Sequence, residues 1–217
     1  MTKAPKYFEN IVTCSEDCPW VSNCNTNSSL EPRFRPRGTT SRATLGNVRL
    51  MIILANPGNP STLEDKEYSG KSAHAIADAA WTFTETILEG KNVLSPTLDK
   101  VIVEASYLLN CSPKQVLDQC VITNHVKCST PKGYSSGKIS LRKDISNRCI
   151  KKHLITELDY WKPEKIAAFA ATAREGLKNS GIHFDACISH PTARGNNLKP
   201  EVRKEKLRQL KTELDFH

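Results

Sequence analysis

The chain is predicted to be an α/β protein, with a central four-stranded parallel sheet between two layers of helices. Three observations predict this. Met51 to Ala55 is a continuous apolar run, which suits a strand covered on both faces. Strand-like and helix-like segments alternate along the chain, as in parallel sheets built from crossover units. The strand-like runs end in abrupt polar turns at Asn56-Pro57-Gly58, Asn124-His125 and His190-Pro191.

Residues 1 to 30 read as a short helix leading into a cysteine-bearing loop, and residues 31 to 47 as a polar, basic surface loop. Residues 49 to 55 form the first strand. Pro57 cannot extend a sheet and Gly58 permits a tight turn, so Asn56 stands at the strand's carboxyl end. Residues 57 to 70 lack apolar periodicity and form a long loop of the kind that often carries function. Ala73, Ile76, Ala77, Ala80, Phe83 and Ile87 recur at helical spacing within Ser72 to Leu88. Ser95-Pro96 opens another helix, through Leu109, with Leu98, Val101, Ile102 and Ala105 on one face.

The second strand spans Gln119 to Val126, followed by a loop from Ser129 to Lys138. Asp144 to Tyr160 reads as a helix that Trp161-Lys162-Pro163 breaks. Lys165 to Ala170 is the third strand and Thr172 to Asn179 a short helix. Phe184 to Ser189 is the fourth strand, and Pro200 to Leu214 is a basic amphipathic helix. With 217 residues and no repeat, a single domain is expected: a cysteine-bearing, basic segment over 1–47 and an α/β core over 48–217.

No apolar run approaches the ~20 residues of a membrane span, and the first residues lack a signal-peptide core, so a cytosolic protein (or a nuclear one, if the host has a nucleus) is expected. The net charge of +8 points to a polyanionic partner. Arg33, Arg35, Arg37 and Arg42 cluster in the turn-rich segment, and Lys199, Arg203, Lys204, Lys206, Arg208 and Lys211 in the C-terminal stretch. Eight cysteines in a cytosolic chain argue for metal chemistry or packing over disulfides. Cys14, Cys18, Cys24, Cys128 and Cys149 lie in polar contexts, while Cys111, Cys120 and Cys187 are expected to pack in the core.

In open α/β sheets ligands bind beyond the carboxyl ends of the strands. The sheet is therefore expected to gather Asn56, Asn124 and His190 at one mouth. An Asn can orient a water or read a base edge. A His can donate to an oxygen that gains negative charge. An Arg on a Pro/Gly-rich loop, as Arg194 is, can grip a duplex. His125 and His153 are expected to be structural.

These motifs resemble those of the uracil-DNA glycosylase superfamily, across about residues 14 to 195. Asn56-Pro57-Gly58 is similar to the first motif of the mismatch-specific and single-strand-selective branches, where the Asn activates water. His190-Pro191-Thr192 with Arg194 resembles their second motif. Thr123-Asn124-His125-Val126-Lys127-Cys128 resembles the Thr-Asn-Val-Val-Lys-Cys segment of the iron–sulfur branch, in which the Asn contacts the flipped base and the Cys binds the cluster. Glu64-Asp65 and Glu67-Tyr68-Ser69-Gly70 set Tyr68 where that branch stacks an aromatic ring. The segment from Cys149 to Ala173, with Lys162-Pro163, is also similar. The chain departs from the iron–sulfur branch at Ala55, where a Glu stands, and at Leu54, where a Gly stands. Its cysteine spacing is Cys-x3-Cys from Cys14 to Cys18.

The resemblance implies a uracil-DNA glycosylase-like α/β/α fold and a monomeric, monofunctional DNA glycosylase. Its base would be uracil or a modified pyrimidine, including glucosylated hydroxymethylcytosine of phage DNA, in single- or double-stranded DNA. It implies catalysis by Asn56 and His190. Tyr68, Asn124, Pro57 and Gly58 would bind the base, and Arg194, Thr192, Arg35 and Arg37 the DNA. It further implies a 4Fe–4S cluster, with zinc as the rival, on four of Cys14, Cys18, Cys24, Cys128 and Cys149. Cys18-Pro19-Trp20 resembles the family's Cys-Pro-Leu. The alternative is a nucleic-acid-binding module of the same fold with an inactive site. A nucleotide-binding enzyme is disfavoured, because the first strand is not followed by G-x-G-x-x-G or a phosphate-loop lysine.

Overall fold

The computed structural model describes residues 4–12, 14, 37–58, 72–91, 95–128, 143–191 and 200–216. Four parallel strands form one sheet in the order β2-β1-β3-β4: β1 Leu50–Leu54, β2 Cys120–Asn124, β3 Lys165–Phe169 and β4 Ala186–Ile188. The helices are α1 Lys6–Val12, α2 Ala73–Leu88, α3 Pro96–Leu109, α4 Lys143–Cys149, α5 Ile155–Trp161, α6 Ala171–Asn179 and α7 Pro200–Leu214. A π-helical segment, Ile150–Leu154, joins α4 to α5, and a 3-10 turn, Pro113–Asp118, leads into β2.

Strand alternation explains the layers. Met51 and Ile53 of β1 face one core with α1, α2, α5 and α6, through Phe8, Trp81, Trp161 and Leu177. Leu50, Ile52 and Leu54 face the other, with α3 and α7, through Val101, Leu108, Leu207 and Leu214. Every β1 side chain is buried, as a strand sandwiched between helix layers requires. The result is the three-layer α/β/α arrangement expected from the sequence. Among the described residues, no helix is long and apolar enough to cross a membrane.

The helix starts follow their local chemistry. Ser72 Oγ accepts from Ala75 N at 3.4 Å and Ser95 Oγ from Leu98 N at 3.2 Å, so both serines cap. Pro96 occupies the first turn of α3, where its missing N–H costs nothing.

Two expectations are corrected. Residues 37–42 do not form a free surface loop. Thr40 bridges antiparallel to Ile122, with N–H···O distances of 2.8 and 3.0 Å, and Thr39 and Ser41 are buried. This segment covers the outer edge of β2, which an open sheet would otherwise leave unpaired. Cys187 is exposed, not packed. It is the middle residue of the three-residue edge strand β4, whose other two side chains, Ala186 and Ile188, take the buried face.

Candidate functional site at the carboxyl edge of the sheet

All four strands point the same way, so their exits share one edge. Leu54 pairs with Asn124 in register, and the ladder runs on through His125 N to Leu54 O at 2.9 Å and Val126 N to Ala55 O at 3.0 Å. Asn56 is the next residue of β1's exit. It is half-buried, and its Nδ2 donates to the Pro57 carbonyl at 3.2 Å. Pro57 is buried and Gly58 exposed, while Asn124 is half-buried one strand away. The Arg37 guanidinium donates to the Gly58 carbonyl at 2.9 Å, and the Arg37 N–H to the Lys127 carbonyl at 2.8 Å. Arg37 therefore braces the exits of β1 and β2 against each other.

His190 follows β4, two strand spacings from β1, or roughly 10 Å. It is half-buried. Burial lowers its pKa, and the cation of Arg203 lowers it further. That cation is held firmly. Arg203 donates to both oxygens of Glu104 on α3, at 2.8 and 2.6 Å, and to the carbonyl and hydroxyl of Ser189 at 2.8 and 2.9 Å. The arrangement presents two carboxamides and an imidazole of lowered pKa along one edge. Chemically it can orient a water, read a planar polar ring and stabilise an oxyanion. A cavity of about 310 Å³ lies beside Ser189, between α6 and α7, lined by Arg174, Cys187 and Lys206 among others. Asn56, Asn124 and His190 are not among its lining residues.

Behind this edge stands a buried polar network that the sequence did not disclose. Lys127 Nζ donates to Glu157 Oε2 and, at 2.7 Å, to Thr123 Oγ1. Glu157 also accepts from Thr123 at 2.9 Å and from Thr39 at 2.8 Å. Tyr7 donates to Thr39 at 2.9 Å, and Trp161 Nε1 donates to Tyr7 at 2.7 Å. Burial raises the Tyr7 pKa, and the Glu157 charge adds to the rise. The network ties α1, the segment at 37–42, the exit of β2 and α5 into one unit. A lysine beside a cysteine in a strand-exit loop carries no sequence signal for burial.

Three of the candidate thiols fall among the described residues. Cys149 lies where α4 gives way to the π segment, and its Sγ accepts from Lys127 N at 3.2 Å. Burial pushes its pKa up to about 12; the Lys127 cation and N–H act against that, while the neighbouring Cys128 and Cys14 thiols add to it. Cys14, Cys128 and Cys149 thus belong to one neighbourhood, with the soft-donor chemistry an iron–sulfur cluster or zinc takes. Among the described residues, no three His, Cys, Asp or Glu side chains converge closely enough to hold a metal ion. Cys18 and Cys24 lie outside the described residues, as do Tyr68, Arg35, Thr192 and Arg194.

His125 and His153 are buried, at 0% and 3% exposure. No protein-family model matches the chain, and no curated protein matches it either.

Proposed function

We propose that this chain is a monofunctional DNA glycosylase, of the uracil-DNA glycosylase kind, that flips a uracil or modified pyrimidine from DNA and hydrolyses its glycosidic bond. The supporting observation is the shared strand-exit edge that carries Asn56, Asn124 and a His190 whose pKa burial, and then the Arg203 cation, lowers. A base inside a duplex is out of reach, so the nucleotide leaves the stack first. Asn124 reads the edge of the extruded base. Asn56 orients a water toward the sugar carbon. As that carbon–nitrogen bond breaks, its electron pair departs with the base, and the neutral imidazole of His190 donates a hydrogen bond to the base's oxygen. The water loses a proton as its oxygen bonds to the sugar, and the base gains one. No lysine is assigned as a nucleophile, so the strand stays intact.

Cys128 and Cys149, with two of Cys14, Cys18 and Cys24, would hold the 4Fe–4S cluster or zinc, whose part is to tie the N-terminal segment to the exit of β2. Cys149→Ser is expected to lower the bound metal per chain, read by elemental analysis and visible absorbance; unchanged metal would remove Cys149 from the ligand set.

The activity test is base release from single- and double-stranded DNA carrying uracil, hypoxanthine, hydroxymethyluracil or glucosylated hydroxymethylcytosine. The wild type is expected to release at least one of these. Asn56→Ala and His190→Ala are each expected to lower the rate on the order of 10²-fold or more. Equal rates in all three proteins would remove both residues from the mechanism. Tight DNA binding without release of any base would favour the inactive binding module.

A further inference from the structure

We propose that His125 is a positioning residue for the loop that carries Asn56: its backbone N–H and its ring Nδ1–H grip the Leu54 carbonyl together and so fix the end of β1. The inference rests on the assignment of Asn56 to the attacking water. The two contacts are 2.9 Å from the backbone nitrogen and 3.1 Å from Nδ1. A carbonyl only accepts, so Nδ1 carries the ring proton. One further ladder bond, Val126 N to Ala55 O at 3.0 Å, follows before Asn56, whose own amide donates to the adjacent Pro57 carbonyl, at 3.2 Å. The doubly held carbonyl is therefore among the last fixed points upstream of Asn56.

The ring is wedged as well as bonded. His125 is fully buried, at 0% exposure. A Cβ at Gly176 of α6 would lie 2.7 Å from its Cδ2 and 3.0 Å from both its Nε2 and Ser146 Oγ. The helix backbone thus presses on the ring edge, and only glycine admits that approach. His125 Nε2 and Ser146 Oγ are both buried and have no hydrogen-bond partner among the described residues. A buried acceptor left without a donor is unfavourable and calls for an explanation. An apolar side chain, such as the Val of the similar Thr-Asn-Val-Val-Lys-Cys segment, would fill the space without an orphaned nitrogen. What the imidazole adds is the second grip on Leu54, which stands where the similar motif has Gly. Burial also lowers the ring's pKa, to about 4, so the imidazole is neutral around pH 7 and keeps one proton for this bond.

The first measurement needs no variant. Long-range ¹H–¹⁵N correlation of the labelled full chain at pH 7 is expected to find His125 neutral and protonated at Nδ1; protonation at Nε2 would overturn the proposal. Kinetics on the wild type's best substrate then separate positioning from packing. His125→Asn sets an amide N–H near the Nδ1 position and is expected to keep most of kcat. His125→Gln, whose amide falls near Nε2, and His125→Val are expected to lose on the order of 10²-fold in kcat with KM near wild type. Equal losses in all three variants, or none in His125→Val, would overturn the proposal. If the wild type releases no base from any DNA, the glycosylase reading fails. Amide exchange at Ala55 and Asn56 then decides the positioning claim: faster exchange in His125→Val and His125→Gln but not in His125→Asn supports it, and uniform rates overturn it.

Discussion

Lys127→Met removes the cation from a carboxylate that has no access to water. The two side chains are 1% and 0% exposed, so solvent cannot take the lost partner's place. Stranding one member of a buried pair costs about 3–5 kcal/mol. Glu157 retains the hydroxyls of Thr39 at 2.8 Å and Thr123 at 2.9 Å, which places the cost at the lower end, about 3 kcal/mol. Glu157→Leu is the harsher change. It leaves the ammonium buried with Thr123 Oγ1 at 2.7 Å as its remaining partner, and about 5 kcal/mol is expected. The double variant buries no charge, though it leaves the threonine hydroxyls short of an acceptor. Its cost should fall below the sum of the singles by about 2 kcal/mol or more. Urea unfolding with an unchanged slope is the assay. Lys127→Met should also lower the melting temperature by roughly 6–12 °C for a chain of this size. A loss under about 1 kcal/mol, the value of an exposed pair, or strict additivity in the double variant, would refute the reasoning.

Three further outcomes are expected. The His125 pKa falls from 6.5 unfolded to about 4 folded, so only the unfolded chain takes up the proton between those values. Stability should therefore decline as pH drops from 6.5 to 4, by about 3 kcal/mol from this residue, and His125→Asn should flatten that part of the urea-midpoint curve; parallel curves would count against it. Arg203→Ala removes a cation that lowers the His190 pKa, so the acid limb of base release should move to higher pH; an unmoved limb would separate Arg203 from His190. Gly38→Ala would set a Cβ 2.1 Å from the Phe8 ring and should cost about 1–3 kcal/mol in urea unfolding, whereas an unchanged midpoint would mean that α1 gives way freely.

The layers and their order were legible because burial leaves a period in the sequence. The apolar run of β1, the helical spacing in α2 and α3, and the caps at Ser72 and Ser95 are local signals, and the structure has the corresponding elements. The 3-10 turn was missed although Ser112 and Gln115 form a capping box, a pattern readable three residues apart. Cys187 was misjudged because an edge strand hides one face only, and a short apolar string does not say which strand is outermost. The π segment after Cys149 was illegible, since its extra residue changes no composition. Lys127 and Glu157 were invisible for a deeper reason: each looks solvated alone, and only the fold brings them together. For the site, the strand-end residues could be named, because parallel strands share an exit. Braces such as Arg37 to Gly58 and Arg203 to Glu104 connect distant parts of the chain and could not.

The bond from Trp161 to Tyr7 spans 154 positions, and its effect begins during synthesis. Tyr7, Phe8, Ile11 and Val12 leave the ribosome before α2, whose Trp81 packs on Phe8, and the bond to Trp161 closes only once α5 is made. At about 5–20 residues per second the nascent segment waits roughly 10–30 s. During that interval it offers a sticky handle to chaperones and to other copies of itself.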